Sequence, residues 1–512
     1  MNSSDIVGIK PLSGAALVIA AIMLTLANFV AVLNMTIANV AVPSIAGGLG
    51  SAMSQGTWVI TAYAVGEAIT VPLTGWLAGK FGSIKVFVVA ALMFAVTSAL
   101  CAISTSIEML AVIRIFQGFA GGPLMPLSLT LLLKIFPSQK AGVANGIWSV
   151  ATLIAPAVGP ILGGYLCDEY NWSYAFLVNV PVALMCGFFT WILLKRFKEE
   201  LYKSVIDTIG LILLVIWVAC LQIMLDDGKN HDWFSSNFIV TLAIISSITF
   251  VLFIIWELFD KNPVVDLKIF RHRGFTTSVL TITLTFAAFF GINVLVSLWL
   301  QNNMGYTATD SGVAVSWIGL MALISAPFVS YMATRYDTRK IVFPGILLMA
   351  VAAFLAMIAT TDMDFWAIVV PLMVLGLGMP FFFIPTTGLA LSSVEEREMD
   401  SAAGLMNFLR TLGGAFATSI VTSNWEDITK AKHVELVDAS ANAQYFQEAL
   451  VQGGATADVA NNLTDYVISS QAVMLATNDM MLYIGVTFVI SASLIWLAPK
   501  PKRAIDLSKG GH

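Results

Sequence analysis

Pro72-Leu-Thr-Gly-Trp-Leu-Ala-Gly-Lys-Phe-Gly-Ser-Ile-Lys85 is a short glycine-punctuated link carrying two cations, set between two long apolar runs. Its skeleton returns later in the chain. Pro72, Gly75, Lys80 and Lys85 recur as Pro327, Ser330, Arg335 and Lys340, all displaced by 255 positions. Gly142-x-x-Asn145 similarly returns as Gly404-x-x-Asn407, displaced by 262. Two related six-helix halves with two helices inserted between them account for both offsets, and parallel repeats of this kind are a transporter architecture. The predicted divisions are 1–204 for the first half, 205–257 for the inserted pair and 258–512 for the second half.

Composition agrees. Of 512 residues, 58% are hydrophobic and 11% charged, against roughly 45–50% and about 25% in soluble domains. Such a chain lacks the polar surface that water demands, so the bilayer is its solvent. The formal charge of −5 supplies no basic stripe for nucleic acid. Cys101, Cys167, Cys186 and Cys220 show no metal-binding spacing; they read as free thiols, with a Cys101–Cys167 bridge at outer helix ends as the alternative. The N-terminal apolar run, from Leu12 to about Leu33, is preceded by one cation, Lys10, and followed by no cleavage site. It reads as a retained first span and not as a signal peptide.

A crossing helix needs about 20 predominantly apolar residues. Fourteen segments qualify: 14–38, 55–78, 86–104, 108–132, 142–166, 174–194, 205–225, 237–257, 275–300, 312–333, 341–360, 365–391, 402–425 and 474–498. If the N-terminus is cytoplasmic, 21 of the 26 Lys and Arg residues fall on one side, which by the positive-inside rule puts both termini in the cytoplasm. The one long outer connection, 426–473, reads as a solvated loop or as a docking surface, with short helices such as Asp438 to Leu450.

Several segments together carry a resemblance. They are Thr36-Ile-Ala-Asn-Val-Ala-Val-Pro43, Gln55-Gly-Thr-Trp-Val-Ile-Thr61, Arg114-x-x-Gln-Gly118, Gly159-Pro-x-x-Gly-Gly164, Asn179-Val-Pro181, Leu221-Gln-Ile-Met-Leu-Asp226 and Pro263-x-x-Asp-Leu267. In order and spacing the chain resembles the fourteen-span drug:proton antiporter group of the major facilitator superfamily, the EmrB/QacA-type multidrug exporters. That resemblance implies an all-α bacterial inner-membrane antiporter, driven by the proton-motive force without nucleotide or other cofactor. It also implies a periplasmic membrane-fusion adaptor and an outer-membrane channel, with 426–473 as a surface for the adaptor. A narrower substrate, such as a fatty acid, siderophore or metabolite, or a facilitator without proton coupling, is the alternative. An enzyme is disfavoured, since His231, His272, His433 and His512 all lie in loops or the tail. No Gly-x4-Gly-Lys-Ser/Thr loop occurs either.

Ionisable groups inside spans are functional candidates by default, and three stand out: Glu67, Arg114 and Arg410. Where the family usually has an acid in span 1, this chain has Asn34, so Glu67 is the expected proton carrier, with Arg114 beside it. Arg114, Gln117, Gly118 and Gly121 share one helix face. Arg410, with Asn407 on its face, reads as an anion contact or as an anchor on backbone carbonyls. Asp226 reads as an interfacial carboxylate ending span 7. Gly159, Pro160, Gly163 and Gly164 form the antiporter motif, a bare helix face bent by proline. In the Pro72–Lys85 link, Gly75, Lys80, Gly82 and Lys85 match the superfamily's signature loop, but Gly79 and Ser83 stand where the acid and second Arg are usual. The substrate pathway is expected to be apolar with few polar contacts, drawn from Asn34, Asn39, Trp58, Tyr63, Gln117, Asn293, Trp299, Trp317, Met321, Phe381 and Phe382.

Overall fold

The computed structural model describes residues 12, 14–136, 141–197, 199, 201, 207–228, 231–260, 263–333, 335–395, 398–439, 441–454 and 456–499. Among these residues every predicted segment is helical and no strand occurs. Lys10, Lys140, Lys198, Lys203, Lys229, Lys261, Arg397, His512 and the cations from Lys500 onward lie outside them.

The helices are α1 (Ala15–Gly48), α2 (Trp58–Phe81), α3 (Ser83–Ala102) and α4, whose parts Ile107–Gly121 and Leu124–Ile135 meet at Gly122-Pro123. Then come α5 (Ala141–Glu169) and α6, formed by Tyr174–Leu177 and Asn179–Leu194. The central pair is α7 (Thr208–Asp227) and α8 (Asn237–Phe259). The chain continues with α9 (Arg273–Asn302), α10 (Ala308–Ala333), α11 (Thr338–Ala356), α12 (Phe365–Ser392), α13 (Met399–Ala439) and α14 (Ala457–Leu494).

Among the described residues, eleven helices are long and apolar enough to cross a membrane. Helix α2 falls short because Glu67, Thr61, Thr70 and Thr74 dilute its apolar run. On α8, Ile244, Ile248, Val251, Leu252 and Ile255 are all exposed. A face this apolar, on a helix nearly bare of protein cover, is stable only against lipid.

Each set of six helices has its own core. Phe87, Phe94 and Leu131 sit in one cluster, built from α1, α3, α4 and α6. Leu298, Met349, Phe382 and Phe488 sit in another, built mainly from α9 to α14, with Ala38, Val42 and Ile60 of α1 and α2 packed into it. Between the sets the main contacts are reciprocal: α5 packs on α10 and α2 on α13. Fifth helix meets second helix in both directions. Helix α7 pairs with α8 and also rests on α2 and α13.

Three expectations are corrected. The span-1 helix does not stop near residue 38; α1 runs through Pro43 to Gly48, because one absent N–H costs less than ending a buried helix early. Region 426–473 is not a solvated loop but mainly helix. Helix α13 continues to Ala439, Ala441–Gln452 forms a short helix, and α14 begins at Ala457. Alternating small and polar residues there give helices that pack on each other: Trp425 Nε1 donates to Thr477 Oγ1 (3.0 Å) and Lys432 faces Asp479 (4.0 Å). All four cysteines are free, so the Cys101–Cys167 alternative falls.

Candidate functional site

The polar groups of the first six helices converge on one buried network. Arg114 is fully buried, and a buried guanidinium is tolerable only when its donors find acceptors. Its Nε donates to the Val59 carbonyl and its Nη1 to Gln117 Oε1, both at 2.7 Å. Gln117 Nε2 in turn donates to Ser98 Oγ (2.7 Å) and reaches Asn34 Oδ1 (3.5 Å). Asn179 Nδ2 also donates to Asn34 Oδ1 (3.3 Å). The guanidinium lies 4.4 Å from the centre of the Tyr63 ring. Glycines make this approach possible: a Cβ on Gly66 or Gly118 would collide with backbone of the facing helix, so α2 and α4 touch main chain to main chain.

Glu67 stands apart from this network. It is 7% exposed, and its Oε2 has no hydrogen-bond partner. No ion pair joins Glu67 to Arg114 among the described residues; Arg114 directs its Nε to Val59 and its Nη1 to Gln117. Helix α13, which packs on α2, carries a further buried-span cation, Arg410. Arg410 itself does not anchor on backbone carbonyls. Its Nη2 approaches Met125 Sδ (3.9 Å), its guanidinium lies over Phe286 (5.3 Å) and Phe383 (5.4 Å), and its Nε is buried without a partner. Glu67 and Arg410 thus each keep a buried polar atom without a partner, on two helices that pack against one another.

The two sets are fastened at the end of the bundle remote from the Lys80 and Lys134 turns. Gly159 and Gly163 admit Thr36 and Ile37 of α1, while Gly164 lies against Ala308 and Thr309 of α10. Gly312 and Gly319 on α10 accept Pro160 and Ala157 in return. Asp168, at the end of α5, receives the Thr309 N–H (2.6 Å) and the Ala308 N–H (3.3 Å), placing a carboxylate on the positive end of the α10 dipole. Gln301 Nε2 donates to the Val40 carbonyl (3.0 Å). Asp226 of α7 accepts from Thr61 of α2 (2.8 Å), from Gln222 (2.9 Å) and, in a short contact, from Ser419 of α13. Half-buried Asp226 is thus more than an interfacial loop carboxylate, since through α7 it joins α2 to α13.

A family model described as the Major Facilitator Superfamily matches residues 24–418. The chain is 39% identical to the multidrug export protein EmrB of Escherichia coli K12, covering 98% of this chain and 99% of that one. It is 36% identical to the fatty acid resistance protein FarB of Neisseria gonorrhoeae over 98% and 99%. Among solved structures, a peptide transporter of the POT family in complex with sulfate superposes with a TM-score of 0.66 at 12% identity, covering 97% and 99%. This chain belongs to the Major Facilitator Superfamily. Within the superfamily it groups with the EmrB-type proteins, and it is a multi-pass membrane protein.

The superfamily's signature loop takes an unusual form in this member. Gly75 and Gly79 have no neighbour within 4 Å of a Cβ position, and Lys85 is exposed. Lys80 lies over the Trp76 (4.6 Å) and Phe81 (5.4 Å) rings. Gly82 adopts φ 94°, and the carboxylate beside it is Glu199, beyond α6. Glu199 accepts from the Ile84 N–H (3.0 Å) and from Lys134 Nζ (3.2 Å). In sequence Glu199 is only an acid five residues beyond α6, and nothing in its spacing singled it out.

The expected pathway residues divide into two groups. Asn34, Tyr63 and Gln117 belong to the Arg114 network. Asn39 and Trp58 keep buried polar atoms without partners. Asn293 is tied to its own helix through Phe289 O (2.8 Å), and Trp317 packs edge-on against Trp366. Met321 and Asn407 are half-buried. Phe381 fills the space over Gly345 beside Phe328. Phe382 (0% exposed) and Trp299 (4%) are packed in an apolar core built mainly from α9 to α14. Among the described residues no cluster of metal-binding side chains occurs.

Proposed function

We propose that the protein exports hydrophobic and amphiphilic toxic compounds from the bacterial cytoplasm by alternating access, exchanging them for protons. On this proposal the chain has fourteen spans with both termini cytoplasmic. Residues 1–204 and 258–512 are the two moving halves, 205–257 the inserted pair, and a periplasmic adaptor with an outer-membrane channel completes a tripartite pump. The relatives named for multidrug export support the substrate class. The observation that carries the mechanism is the Glu67 carboxyl, whose Oε2 is buried without a donor on α2, the helix that packs on α13 and its Arg410.

A carboxyl oxygen in that position is where a proton adds. Protonation removes the attraction to Arg410 and frees the halves to separate there. Deprotonation restores it, so proton and substrate each favour a different arrangement, as coupling requires. The fastening of α5 to α10 and of Asp226 to Thr61 and Ser419 closes the outer end, so substrate enters from the cytoplasmic end. Opening outward requires those contacts to part.

The test is collapse of a preformed pH gradient in proteoliposomes on addition of a lipophilic cationic dye. Dye-induced proton flux is expected from the parent and is expected to be lost in Glu67→Gln, while dye binding persists. Unchanged flux in Glu67→Gln removes Glu67 from coupling, and absence of flux in a parent that equilibrates dye downhill makes the protein a facilitator. The FarB relationship favours one second reading, a fatty-acid exporter; flux induced by a long-chain fatty acid and not by the dye selects it.

A further inference from the structure

The inserted pair carries a second carboxyl site, far from Glu67 in the chain and unconnected with it by any hydrogen bond among the described residues. Asp207 precedes α7 and Glu257 lies in the last turn of α8; they are 8% and 0% exposed. One oxygen of each is well used. Asp207 Oδ1 accepts from the Gly210 N–H (2.8 Å), capping α7, and from Trp256 Nε1 (2.9 Å). Glu257 Oε2 accepts from the Val265 N–H (3.1 Å), holding the segment that leads into α9. The other oxygen of each, Asp207 Oδ2 and Glu257 Oε1, is buried with no hydrogen-bond partner. Both of these oxygens crowd the same side of Gly210, where a methyl group would collide with each.

Two nearly covered carboxylates brought to one glycine repel one another, and a proton between them relieves that repulsion. The other charges acting on Glu257 add to the problem, since Asp260 and Asp266 are also acidic. Asp266 is occupied capping Lys268 N (3.1 Å), and the Lys268 ammonium is turned to the Asp260 carbonyl (3.1 Å). Lys203 and Lys261, the nearest cations in sequence, lie outside the described residues. With two carboxylate oxygens and no third acidic, Cys or His ligand gathered among the described residues, the donor set is too small for a metal ion, and a proton satisfies both oxygens at once.

We propose that Asp207 and Glu257 bind one shared proton, placed between Asp207 Oδ2 and Glu257 Oε1, and that this proton fastens the start of α7 to the end of α8. The folded protein then holds a proton at neutral pH that the separated carboxylates of the unfolded chain have released. Its stabilisation is full below the ordinary carboxylate value of about 4 and declines as pH rises above it. An amide in place of either carboxyl supplies a permanent N–H donor to the other, so each single amide variant imitates the protonated pair. This site does not depend on proton-coupled export.

Purified full-length protein in detergent provides the test, through thermal unfolding by tryptophan fluorescence between pH 6 and pH 8 and infrared detection of a protonated carboxyl. The parent is expected to lose about 2 °C of Tm across that range beyond what Glu257→Gln or Asp207→Asn loses, and to show a protonated-carboxyl stretch that each single variant lacks. Both variants are expected to equal or exceed the parent in Tm at pH 8. The proposal is overturned if parent and variants share one pH slope, if the parent-minus-variant infrared difference shows no protonated-carboxyl band for either variant, or if both amides lower Tm equally at pH 6 and pH 8.

Discussion

The repeat places two corners in equivalent positions, and they solve one problem differently. The corner between α2 and α3 has Gly82 where the corner between α10 and α11 has Asp337, and Ile84 corresponds to Arg339. In both, the same backbone N–H at the start of a helix is capped by a carboxylate. Asp337 caps Arg339 N with its own side chain (3.0 Å). Gly82 has no side chain to offer, and Glu199 reaches Ile84 N from 115 positions away (3.0 Å). The second corner is therefore a local device, whereas the first exists only when α6 is in place. An orphan N–H at a helix start needs an acceptor, and evolution has filled this need from nearby in one half and from afar in the other.

Substitutions at the corners break or sharpen that contrast. The largest effect is expected at Gly82→Ala: φ 94° with ψ 137° is a conformation open to glycine, and a Cβ there also meets the Glu199 carboxylate. A loss of about 1–2 kcal/mol from the backbone alone, read as a lower Tm, is expected. A neutral Gly82→Ala would show that the first corner does not rely on its glycine. Next comes Glu199→Ala, which leaves Ile84 N–H and Lys134 without this acceptor. About 1 kcal/mol is the typical cost of a lost cap, and the α3–α6 contact should loosen in hydrogen exchange while the α10–α11 corner is unaffected.

The smallest effect is a pH dependence at the second corner. The hydrogen-bonded Arg339 guanidinium holds the Asp337 carboxyl below its ordinary value, so the folded state favours the charged form. That contribution is present above the ordinary carboxylate value of about 4 and is lost as pH falls through the lower folded value. Asp337→Asn keeps a capping oxygen and should flatten the decline of Tm below about pH 4, with little change at pH 7. An identical acid profile in parent and variant would remove the Asp337–Arg339 pair from the comparison.

These corners also mark what the sequence could and could not disclose. Helical spans are written locally, as apolar runs bounded by glycine, proline and charge, and each predicted segment is helical. The face of α5 carrying Gly159, Pro160, Gly163 and Gly164 was legible because bare faces imply close neighbours, although which neighbours, α1 and α10, was not. Contacts between distant segments left no periodic trace. Glu199 on Ile84, Asp168 on α10 and Asp226 between Thr61 and Ser419 each depend on tertiary placement. Depth in neighbouring spans placed Glu67 and Arg114 in the same region, but it did not disclose that acceptors on α2 and α4 would hold the arginine's donors. The helical character of 426–473 was obscured because a polar composition away from the core looks like a loop.

Helix α13 is a lever. It is one unbroken helix of 41 residues, about 60 Å long at 1.5 Å per residue, or twice the hydrocarbon thickness of about 30 Å. Arg410 lies in its first third, where α13 packs on α2, and Ala439 ends it, with α14 strapped alongside through Trp425 and Thr477. A rigid tilt of about 10° at the level of Arg410 displaces the far tip by about 8 Å, given the helical rise between them. Movement at the central charge is thereby magnified where the helix leaves the bundle.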